Sequence, residues 1–443
     1  MSEEHIQQWR GYVQRRSVLA GDDIAELEEH LRAQVDDLKA VGLADDEAFL
    51  VAVKRMGRID DLSREFAREH SDRLWKQLVI GADDTGESGS ARRDLWVAIA
   101  LAIGAALTLR TGLAWLDEDV SARLASVLVL PWLAGFFGWK RGMARSSIAV
   151  VVIGFVTFGV LLAVYPFDGD PGDTMVLASI HAPVFLWLLM GVAYVGGDWR
   201  SGRRRMDFVR FTGEWVVYYF LLAAGGGLLI GLTVGTFHAV GTDAEGVVTE
   251  WIMPFGAAGA TVIAAWLVES KQNVIENIAP VLARVFSPLT ILLLVALLIA
   301  FAADPDLIDV DRELLILMTV ILVLVLALWL YAVSARPPQA PPGLGDWLQV
   351  ALVVTAIVVD LVVLIAMAGR IAELGLTANR SAALCLNVVL LVNLAVSAWL
   401  GLAFVRGHRP VAALERWQTA YLPVYAAWAA VVVITWGPLF SWV

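Results

Sequence analysis

Trp347–Gly369 reads WLQVALVVTAIVVDLVVLIAMAG, an apolar run interrupted near its middle by one carboxylate, Asp360. An α-helix needs about 20 predominantly apolar residues to cross the hydrocarbon core of a bilayer. This stretch supplies them, so it predicts a membrane span with an acidic group at mid-depth. On either side the pattern repeats. Runs of similar length lie near 95–116, 120–139, 146–166, 175–196, 211–238, 247–269, 279–303, 312–334, 345–369, 380–405 and 420–440. The fold class that follows is all-α: a polytopic membrane protein of about eleven spans with a small N-terminal helical bundle. Composition agrees, because 58% of the 443 residues are hydrophobic, against about 45–50% apolar in soluble domains.

The polar gaps between spans alternate in charge. Arg92 and Arg93 precede the first run, and Asp117, Glu118 and Asp119 follow it. Lys140, Arg141 and Arg145 come next, then Asp168, Asp170 and Asp173, then Arg200 and Arg203 to Arg205. Asp243 and Glu245, the Asp304–Asp311 loop, Arg336, and Arg406, Arg409 and Arg416 continue the series. Lysine and arginine mark cytoplasmic loops. The expectation is a multi-pass bacterial cytoplasmic-membrane protein with its N-terminus inside and its C-terminus outside. Met1 to Arg16 has no apolar core of a secretory signal, which agrees with a cytoplasmic start. One gap departs from the alternation: Arg370 and Arg380 flank a loop that the count places outside. Two readings stand open, snorkelling to headgroups beside Glu373, or an anion or partner contact on the outer face.

Residues 1–80 are rich in charge, and Ile24, Leu27, Leu31, Val35, Leu38 and Val41 recur at helical spacing. Asp22 or Asp23 can cap that helix and Gly42 follows it. Phe49, Ala52, Val53 and Met56 form a second stripe, and Leu62, Phe66, Leu74 and Leu78 a third. Residues 1–80 therefore read as a cytoplasmic helical domain, 81–93 as a flexible Gly/Ser-rich linker and 94–443 as the transmembrane domain. Arg336–Gly345, RPPQAPPGLG, reads as extended polyproline-like chain.

Asp360 is the strongest candidate for chemistry, since a carboxylate at the membrane midplane is costly and marks function by default. The next span carries Asn387 and Asn393, with Ser397 one turn beyond Asn393. An antiparallel hairpin would bring Asp360 to the depth of these amides, and a polar contact across it is expected; helix–helix glue is the bland alternative. Arg370, Asn379 and Arg380 form a second candidate site on the outer face. Gly227, Gly231 and Gly235 repeat every fourth residue, a helix-packing pattern whose alternative is an unwound segment lining a cavity. Arg110 is expected to reach Asp117 or Asp119, and Glu269 to pair with Arg284. Pro254, Pro288 and Pro423 fall inside spans and are expected to kink them.

Two resemblances add to this reading. IAELEEHLRAQVDDLKAVGLADDEAFLVAVKRMG with DDLSREFAREHSDRLWKQL resembles the bacterial permease prefix domain, related to HAAS-type helical domains. That resemblance implies a permease-like or other membrane partner segment and a link to PadR-type regulators. ELGLTANR (Glu373–Arg380), WGPLF (Trp436–Phe440) and FSPLTILLLVALL around Pro288 resemble an uncharacterised bacterial integral-membrane family, which implies no catalytic residues. It adds weight to Asn379 and Arg380 as functional.

The templates for common chemistry are absent: no GxxxxGK[ST], HExxH, GxSxG or paired CxxC occurs. The only cysteine is Cys385, which excludes an intrachain disulfide and a thiolate metal cluster. A net charge of −11 argues against nucleic acid as a partner. The expectations are no catalytic residue, no metal and no cofactor. The leading functional expectation is a permease-like protein that binds or moves a small or lipid-like ligand, with the lipid bilayer and a cytosolic protein at residues 1–80 as partners. The alternative is a non-transporting sensor or adaptor. Oligomeric state is not legible.

Overall fold

The computed structural model describes residues 21–40, 48, 51–52, 87–167, 172–241, 243, 245–270, 272–303, 312–336 and 340–442. The chain divides into two compact units, Met1–Ser90 and Ala91–Val443. In the first, α1 (Gly21–Ala40) buries Leu31, Val35 and Leu38, the stripe that the spacing predicts. Ala48 and Ala52 are also buried. The stripe residues Phe49, Val53, Met56, Leu62, Phe66, Leu74 and Leu78 lie outside the described residues, as do Val41 and Gly42.

The second unit is a bundle of long helices. They are α2 (Glu87–Trp115), α3 (Glu118–Lys140), α4 (Arg145–Val164), α5 (Asp173–Tyr194), α6 (Gly202–Ala239) and α7 (Glu245–Ser270). After them come α8 (Gln272–Ala303), α9 (Arg312–Ser334), α10 (Leu344–Leu374), α11 (Ala378–Val405) and α12 (Ala412–Leu439). Among the described residues, 11 helices are long and apolar enough to cross a membrane, and no strand occurs. A bilayer offers no water to satisfy peptide groups, so each crossing segment must close its own hydrogen bonds as a helix. The expected linker is corrected at its end: α2 begins at Glu87, so 87–93 are helical, and 81–86 lie outside the described residues. Extending an established helix by a turn costs little compared with starting one.

Two clusters fill the bundle. Phe136, Phe137, Leu186, Met190 and Phe211 centre the first, built from α2 to α7 with Val433 of α12. Leu322, Val353, Val359 and Leu394 centre the second, built from α8 to α12. α6 serves both, giving Phe208 and Phe211 to one and Met206 and Val209 to the other. α10 and α11 form a tight antiparallel hairpin, and α5 packs along α12.

Without a hydrophobic force between helices in lipid, close packing supplies the adhesion. Here large side chains fill glycine sockets. Trp132 of α3 lies over Gly104, Phe208 over Gly191, and Tyr331 of α9 over Gly213. Val350 and Trp329 crowd Gly401 so closely that an added Cβ would stand 2.9 and 3.2 Å from them. In α7 a wide π-helical turn, Val248–Ile252, precedes Pro254. Proline has no N–H and its ring crowds the carbonyl four residues back, so the helix ladder opens there.

The helix ends differ in their balance of charge, although each holds both signs. One end of the bundle, the basic end, carries Lys140, Arg141, Arg145, Arg204, Arg336, Arg406 and Arg409. The acidic end carries Asp117, Glu118, Asp173, Asp243, Glu245 and Glu373. At the basic end Arg336 pins the proline-rich connector. It pairs with Asp346 at 2.7 Å, donates to the carbonyls of Ala340 and Pro341, and lies 4.4 Å over the Phe404 ring.

Candidate functional site

α10 places Asp360 halfway along its length, on the face that also buries Ala356, Val359 and Val363. The Asp360 side chain is 0% exposed, and neither carboxylate oxygen has a hydrogen-bond partner. A carboxyl group in such surroundings is stable only when it is protonated or paired with a cation.

Asn387 on α11 is equally buried. Its amide N–H donates to the Ala383 carbonyl at 2.9 Å and to Thr319 Oγ1 of α9 at 3.1 Å, with Met367 Sδ at 3.6 Å. Its Oδ1 has no partner. Asn393 is engaged on another side. Its Nδ2 donates to Gln418 Oε1 of α12 at 3.1 Å, and its Oδ1 accepts from Ser397 Oγ at 3.1 Å. Gln418 Nε2 donates to Ser397 Oγ at 2.6 Å, which closes the ring. Tyr421 adds a bond to the Val389 carbonyl at 2.8 Å.

The expected contact across the α10–α11 hairpin is therefore corrected. Met367 against Asn387 and Val350 against Gly401 fix the hairpin register, which sets Asp360 opposite the turn of α11 that holds Asn393. Depth matches, but azimuth does not: Asn393 faces α12, Asn387 faces α9, and no hydrogen bond joins either to Asp360. Gln418 is the functional-group residue that the sequence reading passed over. It lies just before the run that begins near 420, but α12 starts at Ala412 and carries it into the bundle.

At the acidic end the trio Arg370, Asn379 and Arg380 is split. Arg380 Nη1 donates to the carbonyls of Leu374 and Gly375 at 3.0 and 2.8 Å, which closes the C-terminus of α10. Gly375 takes φ 79° there, a conformation suited to glycine. Thr377 caps α11 by accepting from the Arg380 backbone N–H. Arg380 thus has a local structural task. Arg370 differs, because its Nη1 is shielded and unpartnered. Asn379 is half-buried, with no hydrogen bond among the described residues. The two resembling segments meet here: Trp436 Nε1 donates to the Ala378 carbonyl and to Ser381 Oγ, both at 3.1 Å.

Two further expectations change, and a third involves a side chain outside the described residues. Gly227, Gly231 and Gly235 pack against nothing among the described residues, since an added Cβ would meet no atom of theirs within 4 Å. In the 38-residue α6 the buried residues end at Glu214, and the stretch that carries these glycines is mostly exposed. Arg110 pairs with Glu250 at 3.1 Å and stacks on Trp251, not with Asp117 or Asp119. Glu269, only 4% exposed, binds Arg141 at 2.7 Å and Lys140 at 3.2 Å; the side chain of Arg284 lies outside the described residues. No protein-family model matches the chain, and neither the curated proteins nor the solved structures searched include a match.

Proposed function

We propose that this multi-pass helical membrane protein binds and moves a small or lipid-like solute, with Asp360 carrying the proton or cation that couples the movement. One observation supports this above the rest: Asp360 is the buried carboxylate at the centre of α10, and both its oxygens are unmatched. Asn393, Ser397 and Gln418 in the same bundle are joined to one another by three hydrogen bonds. A polar group kept for packing is matched like the second set. An unmatched one costs about 1–3 kcal/mol, and that cost is recovered only in a state where the group meets a proton, an ion, water or ligand. Alternating exposure of a midplane acid is the general device of coupled carriers.

Basic loops mark the cytoplasmic side, so we place the basic end and residues 1–80 inside a bacterial cell, with the prefix docking or regulating a cytosolic partner. The test uses purified protein reconstituted in vesicles that enclose a pH-sensitive dye, challenged with a panel of amino acids, sugars, organic acids and lysolipids. A solute that drives proton movement in the native protein, and none in Asp360→Asn, is the expected result. Equal proton movement by both proteins rejects the role of Asp360.

A further inference from the structure

A cavity of about 530 Å³ opens at the basic end, between the ends of α3, α5 and α7 and the first turns of α6. That volume lies in the range of small-molecule sites, about 300–1,000 Å³. Its lining is charged in both signs, and most of those charges are already spent. Arg141 is held by Glu269 at 2.7 Å. Arg204 donates to the Val195 carbonyl at 3.0 Å and approaches Asp198 at 3.6 Å. Two lining groups remain unspent: Arg210 and Asp207 make no hydrogen bond or ion pair with the described residues.

Both project from the same face of α6, three residues apart, so their Cβ atoms are about 5–6 Å from each other. They do not pair with one another. Tyr194 and Phe211 supply an aromatic wall beside them, their rings stacked at 4.6 Å. An open guanidinium recognises a phosphate or carboxylate by charge-assisted hydrogen bonds. An open carboxylate at this spacing recognises an ammonium group and repels a second anion.

We infer that this cavity is a binding site for a small zwitterion carrying one acidic group and one primary amine, with Arg210 holding the acid and Asp207 the amine. The chemistry is shared by the phosphoethanolamine headgroup of a lipid and by free amino acids or free phosphoethanolamine. The site sits at the end of the bundle where headgroups and water both reach, and it stands independently of any coupling role for Asp360.

The test uses the full-length protein in nanodiscs of phosphatidylcholine, whose quaternary amine has no N–H to donate. Phosphoethanolamine and glycine are titrated calorimetrically. In parallel, nanodiscs are rebuilt with phosphatidylethanolamine or with phosphatidylglycerol, and thermal unfolding is recorded. Response to the free zwitterions identifies a soluble ligand; a raised unfolding midpoint confined to phosphatidylethanolamine discs identifies a lipid headgroup. Either supports the site if Arg210→Gln and Asp207→Asn each weaken the response by about tenfold or more. Asp207→Asn should also turn preference toward phosphatidylglycerol and inorganic phosphate, because the repelling carboxylate is gone. That switch carries the test alone if Arg210→Gln does not fold. No response to any amine-bearing probe overturns the inference. So does an equal response to phosphatidylglycerol in the native protein, or a response unchanged in both variants.

Discussion

Asn393 donates to Gln418 at 3.1 Å across α11 and α12, and with Ser397 the pair forms a closed polar ring in the bundle interior. At the same depth on α10, Asp360 receives nothing. Membrane interiors tolerate polar side chains in two ways, as glue when they are matched and as working groups when they are not. The two cases stand side by side here, and opposite responses to mutation separate them.

Asp360→Val removes two buried acceptors that have no donor and leaves a side chain of similar width. The substitution is expected to raise the thermal unfolding midpoint in detergent or nanodiscs, by the equivalent of about 1–3 kcal/mol, the cost of an unmatched polar group. Coupled solute movement is expected to be lost. Stability gained with function lost is the usual exchange at a working site. A fall in stability would mean that Asp360 is a structural residue.

Asn393→Ala should act in the other direction. It leaves Gln418 Oε1 without its donor and Ser397 Oγ–H without its acceptor, both at 0% exposure, while the bond between Gln418 and Ser397 remains. Interhelical polar pairs in bilayers are worth on average about 0.6 and at most about 1.7 kcal/mol, and the loss should approach the upper figure because two bonds are broken at once. The double variant Asn393→Leu, Gln418→Leu removes both sides and should recover part of the loss. Unfolding midpoints of the three variants check this.

Glycines provide a second contrast. Gly401→Leu drives a side chain into Val350 and Trp329, which already stand close to where a Cβ would lie. Overpacking costs about 1–3 kcal/mol, and the α10–α11 hairpin should loosen. Gly231→Leu meets open space and should leave the isolated chain's stability within about 0.5 kcal/mol. Thermal unfolding of the two single variants, side by side, distinguishes a filled socket from an open face.

How far these contrasts were legible in the sequence follows from what a bilayer constrains. It fixes the length and apolarity of each crossing along one dimension, so the eleven runs and the charge alternation of their ends could be read directly. It does not distinguish lipid-facing from protein-facing apolar residues. In α4, Val150 and Ile153 face outward while Val151 and Phe155 are buried, and all four are apolar. Azimuth was therefore hidden, and with it the turn of Asn393 toward α12 instead of Asp360. Helices also continue past the hydrocarbon core once formed: α6 starts at Gly202 and α12 at Ala412, each well before the apolar run begins. Those added turns carry Arg210, Asp207 and Gln418. Trp436 meeting Ala378 was invisible for the same reason, although both lie in the segments that carry the second resemblance.

Orientation is open to direct test with a protein whose only cysteine, Cys385, is replaced by serine. Leu344, 90% exposed at the basic end, and Leu376, 60% exposed at the acidic end, are suitable single-cysteine positions. In intact cells a membrane-impermeant maleimide should label Leu376→Cys and spare Leu344→Cys until the cells are permeabilised. The reverse pattern would invert the topology that the charged loops indicate.

The coupling role of Asp360 is tested most directly with an apolar carbodiimide, which reacts with protonated carboxyl groups inside membranes. The reconstituted protein is treated, digested and weighed by mass spectrometry at the peptide containing Asp360, while solute-driven proton movement is followed in the same vesicles. The predicted result is an adduct on Asp360 whose accumulation matches the loss of proton movement. Full proton movement in protein whose Asp360 is completely modified would contradict the role assigned to it.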